Sequence, residues 1–81
     1  MEYFVYIIRS LKDGRFYKGQ TQNIEKRVLE HNSGKTKSTK GYVPWELVYF
    51  ESFKTREEAL LREKYFKTGI GRAFLKKNFN K

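Results

Sequence analysis

Cysteine is absent from this sequence, and its absence excludes several kinds of chemistry together. The protein can form no disulfide, has no thiolate nucleophile and offers no cysteine ligand to a metal. A chain without disulfides suits a reducing compartment. The sequence also lacks an apolar run near the roughly 20 residues that a membrane-spanning helix requires, and it lacks the basic N-terminal region of a signal peptide. We therefore expect a cytoplasmic protein with no membrane contact.

Acidic residues are also scarce. The 81 residues include 18 Lys and Arg but only 9 Asp and Glu, which gives a formal net charge of +9. Such an excess favours a polyanionic partner or an anionic surface. A chain of this length buries only about 60% of its unfolded surface, so its core is small. We expect one domain over residues 1–81.

The dipeptide Asp13-Gly14 lies between two runs of β-forming residues, which is a strong hairpin signal. A two-residue loop would place Ser10 opposite Tyr17, whereas a four-residue loop would place Ile8 opposite Tyr17. Side chains alternate between the two faces of a strand, and directly opposite residues share a face. Either loop length therefore puts Tyr6 and Tyr17 on the same face of the sheet.

The sequence predicts an α+β fold, a three-stranded antiparallel sheet with helices packed against it. Residues 3–8 are apolar or aromatic without a break, which is typical of a central strand covered on both faces. Asn23 can cap the first helix, and Thr55 with Glu58 forms a capping box for the second. The remaining expected elements are strands over residues 16–19 and 47–50, helices over residues 23–32 and from 55 to about 69, and a last turn or two around residues 73–75.

Two polar residues of the first predicted helix lie near its apolar stripe of Ile24, Val28 and Leu29. Arg27 and His31 are four residues apart and therefore share a face. At about 100° per residue, His31 lies some 20° from Ile24, so it should lean toward the sheet. A single histidine in this position is more often structural than catalytic, although its neighbours here favour a functional role.

Glu63 occupies an unusual position in the second predicted helix. It lies three residues after Leu60 and three before Phe66, and so interrupts the stripe that should face the core. A carboxylate there needs a cation, a metal or a hydrogen-bond partner, because burying it alone is costly. Lys67, four residues later, could supply an ordinary helix-surface ion pair. A functional role and this simple pairing both remain open.

Residues 34–41 form the densest basic stretch without an acid, bounded by Gly34 and Gly41. Its composition predicts a mobile loop. Lys35, Lys37 and Lys40 could grip phosphate groups there. They could equally be solvated lysines that only aid solubility.

Taken in order, these residues resemble the GIY-YIG nuclease superfamily. The matching residues are Val5-Tyr6, Tyr17-Lys18-Gly19-Gln20-Thr21, Arg27, Glu30-His31-Asn32-Ser33-Gly34 and Glu63. The similarity looks closest to the small stand-alone bacterial members, with a Pro-Trp strand over residues 44–49 and an Arg-Glu-x-x-x-Lys helix segment over 62–67. Phe4 and Lys18 depart from the signature that gives the family its name, and Gln20 stands where some branches have lysine.

The resemblance implies a metal-dependent endonuclease that hydrolyses phosphodiester bonds, with DNA a more expected substrate than RNA and structured or repair-intermediate DNA one possibility. Glu63 would hold one Mg²⁺ or Mn²⁺ ion, and Arg27 would brace the phosphate. Either Tyr6 or Tyr17 would present its phenol to the attacking water. His31 would accept a proton or hydrogen-bond to a tyrosine.

The resemblance also bears on binding and targeting. Nucleic acid would be contacted by four lysines, namely Lys35, Lys37, Lys40 and Lys67. A protein partner or a homodimer could provide targeting. Two other functions stay open: a non-catalytic module that binds nucleic acid through lysines and stacking aromatics, and a small basic protein that docks on an RNA-protein assembly. The strand tyrosines could also serve packing alone.

Overall fold

The computed structural model describes residues 2–79. Three antiparallel strands form its sheet, with β1 (Tyr3–Ser10) in the centre, β2 (Phe16–Thr21) on one side and β3 (Trp45–Phe53) on the other. The central position of β1 follows from its unbroken apolar run, because both of its faces must be covered. The α+β prediction is therefore confirmed. The predicted domain limits at residues 1 and 81 lie outside the described residues.

The β1–β2 hairpin has the longer of the two predicted loops. Ile8 pairs with Tyr17, and the N–H of Ser10 donates to the carbonyl of Arg15 at 2.8 Å, so the loop they close has four residues, 11–14. The hydroxyl of Ser10 accepts hydrogen bonds from two backbone N–H groups of the turn, and Gly14 takes the left-handed conformation, with φ of 80°, that favours glycine. Tyr6 and Tyr17 lie on the same face, as strand alternation predicts, with ring centroids 6.4 Å apart.

Helix α1 (Ile24–Asn32) covers one face of the sheet, here called the α1 face. The side chain of Asn23 accepts a hydrogen bond from the N–H of Lys26 at 3.1 Å, which is the predicted cap. Ile24 and Val28 pack against the sheet. The prediction that Leu29 is buried was wrong, because this side chain is 70% exposed and the inward stripe of α1 is narrower than expected.

Helices α2 (Arg56–Phe66) and α3 (Gly69–Phe79) cover the opposite face, here called the α2–α3 face. Thr55 caps α2 as predicted. However, α2 ends at Phe66 rather than near Gly69, and α3 is a full helix rather than a turn or two. Gly71 lies inside α3. A Cβ at this position would overlap the backbone of Tyr65 and Phe66, so glycine allows α3 to pack closely on α2.

The segment between α1 and β3 is ordered around Thr39 rather than extended as a loop. The N–H of Thr39 donates to the carbonyl of Thr36 at 3.1 Å, and a 3₁₀ turn follows over Lys40–Tyr42. Thr39 itself is fully buried, and its carbonyl accepts a hydrogen bond from the Trp45 indole at 3.0 Å. None of the helices within residues 2–79 has the length and apolar character needed to cross a membrane.

Candidate active site

A chain of buried hydrogen bonds lies between α1 and the sheet. The hydroxyl of Tyr6 is 2.8 Å from Nε2 of His31, and Nδ1 of His31 is 2.8 Å from the hydroxyl of Thr39. The Thr39 hydroxyl in turn donates to the carbonyl of Thr36 at 3.4 Å. At most 1% of Tyr6, His31 and Thr39 is exposed. Since buried polar groups are costly when unpaired, this chain fixes the three side chains relative to one another.

Gly19 makes room for this arrangement. It lies directly opposite Tyr6 in the hairpin, and a Cβ at Gly19 would overlap the Tyr6 hydroxyl and ring. The missing side chain therefore lets the phenol of Tyr6 cross β2 to reach the helix. This requirement gives a physical reason for the glycine that follows Tyr17 and Lys18 in the sequence.

The two strand tyrosines differ in their access to solvent. Tyr6 is 1% exposed, whereas Tyr17 is only partly buried. The Tyr17 ring packs against His31 with centroids 4.8 Å apart, and against Trp45 at 6.3 Å. Tyr17 is therefore the member of the pair that a molecule in solution can reach directly.

Arg27 brings positive charge to the Tyr6 hydroxyl. It lies one helical turn before His31, and its Nη1 donates to Oε1 of Glu30 at 2.9 Å. Burial raises the pKa of Tyr6 to about 12, although the Arg27 guanidinium partly opposes this by hydrogen bonding and by charge. The pKa of His31 is lowered by burial and then by the charge of Arg27. His31 is therefore neutral near pH 7, with one ring nitrogen donating and the other accepting.

Glu63 forms the ion pair that one of its two interpretations predicts, and its functional role stays a prediction. Its Oε2 forms an ion pair with Nζ of Lys67 at 2.9 Å, as the simple pairing predicts. Its side chain is nevertheless only 20% exposed, and its negative charge contributes to the raised pKa of Tyr6, so it also lies near the phenol. The charges of Glu63 and Arg27 thus both act on Tyr6, while Tyr6 and Tyr17 contact His31 directly.

The carboxylate of Glu63 suits a hard cation that takes most of its ligands from water and phosphate. Residues 2–79 contain no group of three His, Cys, Asp or Glu side chains that could enclose a metal. A single carboxylate is sufficient for Mg²⁺ when water and phosphate oxygens supply the other ligands. Glu63 fits that role.

The predicted phosphate-binding lysines do not form one group. Lys35, Lys37 and Lys40 are exposed on the turn after α1, and none forms an ion pair within residues 2–79. Lys67 lies on α2 beside Glu63. Sequence reasoning missed Thr39, because a threonine in a Lys- and Ser-rich stretch gives no local sign that it is buried against a histidine.

The family comparison agrees with this geometry. The model of the GIY-YIG catalytic domain matches residues 2–78. The chain belongs to the GIY-YIG family. This is a nuclease family, and its members act on nucleic acid. The resemblance inferred from the sequence is therefore confirmed.

Individual relatives of this GIY-YIG chain cover most of its length. It is 46% identical over 68 residues to UPF0213 protein SSP2268 of Staphylococcus saprophyticus, covering 83% of this chain and 82% of that protein. It is 48% identical over 65 residues to UPF0213 protein CPE1444 of Clostridium perfringens, covering 79% and 69%. The solution NMR structure of UPF0213 protein BH0048 from Bacillus halodurans superimposes with a TM-score of 0.57 at 36% identity, covering 93% of this chain and 82% of that one.

Proposed function

We propose that this GIY-YIG protein is a metal-dependent endonuclease that hydrolyses phosphodiester bonds, with DNA preferred over RNA. One observation carries the proposal. Arg27 and Glu63 both act electrostatically on the Tyr6 hydroxyl, which is bonded to His31, and Tyr17 packs against the same imidazole. The charges of a guanidinium and a carboxylate thus act on one of two neighbouring phenols, and these are the kinds of group that phosphoryl transfer uses.

Within this site we assign contact with the attacking water to Tyr17. A general base must reach the proton that it removes, and Tyr17 is partly exposed whereas Tyr6 is buried with a pKa of about 12. Acting as a phenolate, Tyr17 takes a proton from water, the water oxygen bonds to phosphorus, and the bond to the leaving oxygen breaks. The leaving oxygen then takes a proton from solvent.

The other residues of the site bind the phosphate or hold neighbouring side chains in position. Arg27 supplies a permanent positive charge for the phosphate oxygens, since a guanidinium stays protonated throughout the physiological range. Tyr6 and His31 hold the rings of the α1 face in place. A divalent cation held by Glu63 would neutralise charge on the phosphate and on the leaving oxygen. Lys67, which pairs with Glu63 in this structure, would have to release the carboxylate.

The test is cleavage of a panel of single-stranded, duplex, flap and branched DNA and RNA with Mg²⁺, Mn²⁺ or EDTA. Glu63→Gln should lower the rate by at least about 100-fold, because it removes the only charge proposed for the metal. Glu57→Gln is the matched control, since Glu57 is an exposed residue of the same helix. Full activity of Glu63→Gln, or cleavage by the wild type in EDTA, would contradict the proposal.

A non-catalytic nucleic-acid-binding module is the second candidate, and the Glu63–Lys67 ion pair favours it, because this pair gives Glu63 a partner without any metal. Such a module would bind nucleic acid equally well with and without EDTA. It would also cleave no member of the panel under any metal condition.

A further inference from the structure

An open groove of about 580 Å³ lies between the hairpin turn, strand β2 and helix α3. Four of its lining residues are basic, and they define what is here called the basic groove: Arg15, Lys18, Arg72 and Lys76. Lys18 points to the face opposite Tyr17, because neighbouring residues of a strand alternate. Arg72 and Lys76 are four residues apart and share a face of α3.

Positive charge in the basic groove is poorly compensated. The one acid among its lining residues, Asp13, is already paired with Arg15 at 2.7 Å. Within residues 2–79, neither Lys18 nor Arg72 nor Lys76 forms an ion pair. Burial lowers the pKa of Lys18, and the charges of Arg72 and Lys67 lower it further, so these cations lie close to one another. An anion in the groove would relieve this repulsion.

Lys67 connects the basic groove to Glu63 through its charge. Lys67 forms an ion pair with Glu63 and also lies near enough to Lys18 to influence its protonation. We propose that the basic groove binds the phosphodiester backbone of nucleic acid beside the phosphate that is cleaved. This inference rests on the proposed function. It also places the main backbone contacts on β2 and α3 rather than on the turn that carries Lys35, Lys37 and Lys40.

Two triple variants with equal loss of charge test this proposal. The groove variant carries Lys18→Gln, Arg72→Gln and Lys76→Gln, whereas the control carries Lys35→Gln, Lys37→Gln and Lys40→Gln. The affinity for a fluorescein-labelled DNA duplex is measured in EDTA between about 50 and 200 mM salt. The groove variant should bind at least about 10-fold more weakly, and its salt slope should fall by about 3, because each of the three cations neutralises one phosphate in the wild type.

Equal weakening in both triple variants would show a response to net charge alone and would overturn the proposal, as would an unchanged slope in the groove variant. Because binding is measured without metal, the result is separate from catalysis. A groove-dependent affinity with no cleavage of any substrate would leave the basic groove standing and reject the endonuclease.

A second inference comes from the direction of the buried hydrogen-bond chain. The Thr39 hydroxyl donates to the carbonyl of Thr36 at 3.4 Å, so its oxygen is the acceptor in the contact with Nδ1 of His31. Nδ1 therefore carries the imidazole proton, and Nε2 is unprotonated. The Tyr6 hydroxyl then donates its proton to Nε2.

Thr39 is firmly held in this chain. It is fully buried, its N–H donates to Thr36, and its carbonyl accepts from the Trp45 indole. We infer that Thr39 is a positioning residue that selects the Nδ1–H tautomer of His31 and so makes Nε2 the acceptor for the Tyr6 hydroxyl. The inference rests on the proposed function for its consequence in catalysis, but the tautomer is a property of the free protein.

Thr39→Val tests the role because it keeps the size of the side chain and removes the hydroxyl. Nitrogen-15 NMR of the single histidine should show a protonated Nδ1 in the wild type and in Thr39→Ser, and loss of that signature in Thr39→Val. Cleavage should fall about 10-fold or more in Thr39→Val, mainly in kcat, the size expected when an outer hydrogen bond to a site histidine is removed. Thr39→Ser should restore it.

A wild-type His31 protonated at Nε2 would overturn the inference, and so would a Thr39→Val protein that keeps both the Nδ1–H signal and full kcat. If no substrate is cleaved, the tautomer measurement still decides the structural part. A purely structural role for Thr39 would lower the melting temperature of Thr39→Val without changing the tautomer, which would also contradict the assignment.

Discussion

The two faces of the sheet bury different kinds of side chain. On the α1 face the buried groups include Tyr6, His31 and Thr39, and they are joined by directional hydrogen bonds. On the α2–α3 face the buried cluster is apolar throughout: Val5, Ile7, Ala59, Phe66 and Leu75. The α2–α3 face gains its stability from non-directional apolar burial, whereas the α1 face depends on exact partners. The α2–α3 face chiefly holds the fold, although α2 also carries Glu63, and the α1 face holds the tyrosine and histidine of the site.

The largest effect should come from the apolar face. Phe66 is fully buried and its ring lies 6.1 Å from those of Tyr49 and Phe74. Phe66→Ala should reduce the free energy of unfolding by about 3–5 kcal/mol, because it removes apolar burial and leaves a cavity. Urea titration measures the loss. Leu61→Ala is the control, since Leu61 is 68% exposed and should change stability little.

Cleavage by Phe66→Ala tests whether the two faces have separate roles. If the faces divide their roles, Phe66→Ala should cleave normally at temperatures well below its own melting temperature. A folded Phe66→Ala protein with no activity would show that the α2–α3 face also shapes the site directly.

Gly19→Ala should have the next largest effect, and on the α1 face. The new Cβ would overlap the Tyr6 hydroxyl and ring, so Tyr6 must move away from His31. Overpacking of this kind costs about 1–3 kcal/mol. Cleavage should fall more than stability does, in contrast to Phe66→Ala. Gly41→Ala is the matched control, because a Cβ at Gly41 meets no atom within 4 Å.

A smaller effect should appear in the pH dependence of stability. The pKa of buried His31 is lowered below its usual 6.5 in the folded protein. As the pH falls below 6.5, the unfolded chain binds a proton that the folded protein does not, so stability decreases toward the lower folded pKa. His31→Gln removes this contribution and should flatten the change in melting temperature between about pH 7.5 and 5. Equal slopes in both proteins would contradict the burial of a neutral imidazole.

Much of the fold could be predicted because its signals are local. Asp13-Gly14 marks the hairpin, and Asn23 and Thr55 begin the helices that they were expected to cap. The position of Gly71 inside a helix could not be predicted. Glycine is required there because the backbone of α2 lies against it, and only the tertiary packing brings the two together. Leu29 was misplaced for a related reason, because only the tertiary packing of α1 decides which side of a broad apolar stripe stays exposed.

The candidate site was likewise predicted only in part. Strand alternation was enough to place Tyr6 beside Tyr17, and helix spacing put Arg27 and His31 on one face. Thr39 was missed, because its bond to His31 depends on how the chain returns from α1 to β3. The residues of the basic groove were missed too, since α3 was not recognised as a helix that could carry Arg72 and Lys76 to β2.

Cleavage and melting of Tyr17→Phe beside Tyr6→Phe test the division of roles most directly. Tyr17→Phe should lose metal-dependent cleavage with an unchanged melting temperature, because its hydroxyl serves the reaction and not the fold. Tyr6→Phe should lose about 1–3 kcal/mol of stability, because Nε2 of His31 is left without a partner in the interior, and should retain part of its activity. Full cleavage by Tyr17→Phe, together with complete loss in a stable Tyr6→Phe protein, would contradict the account.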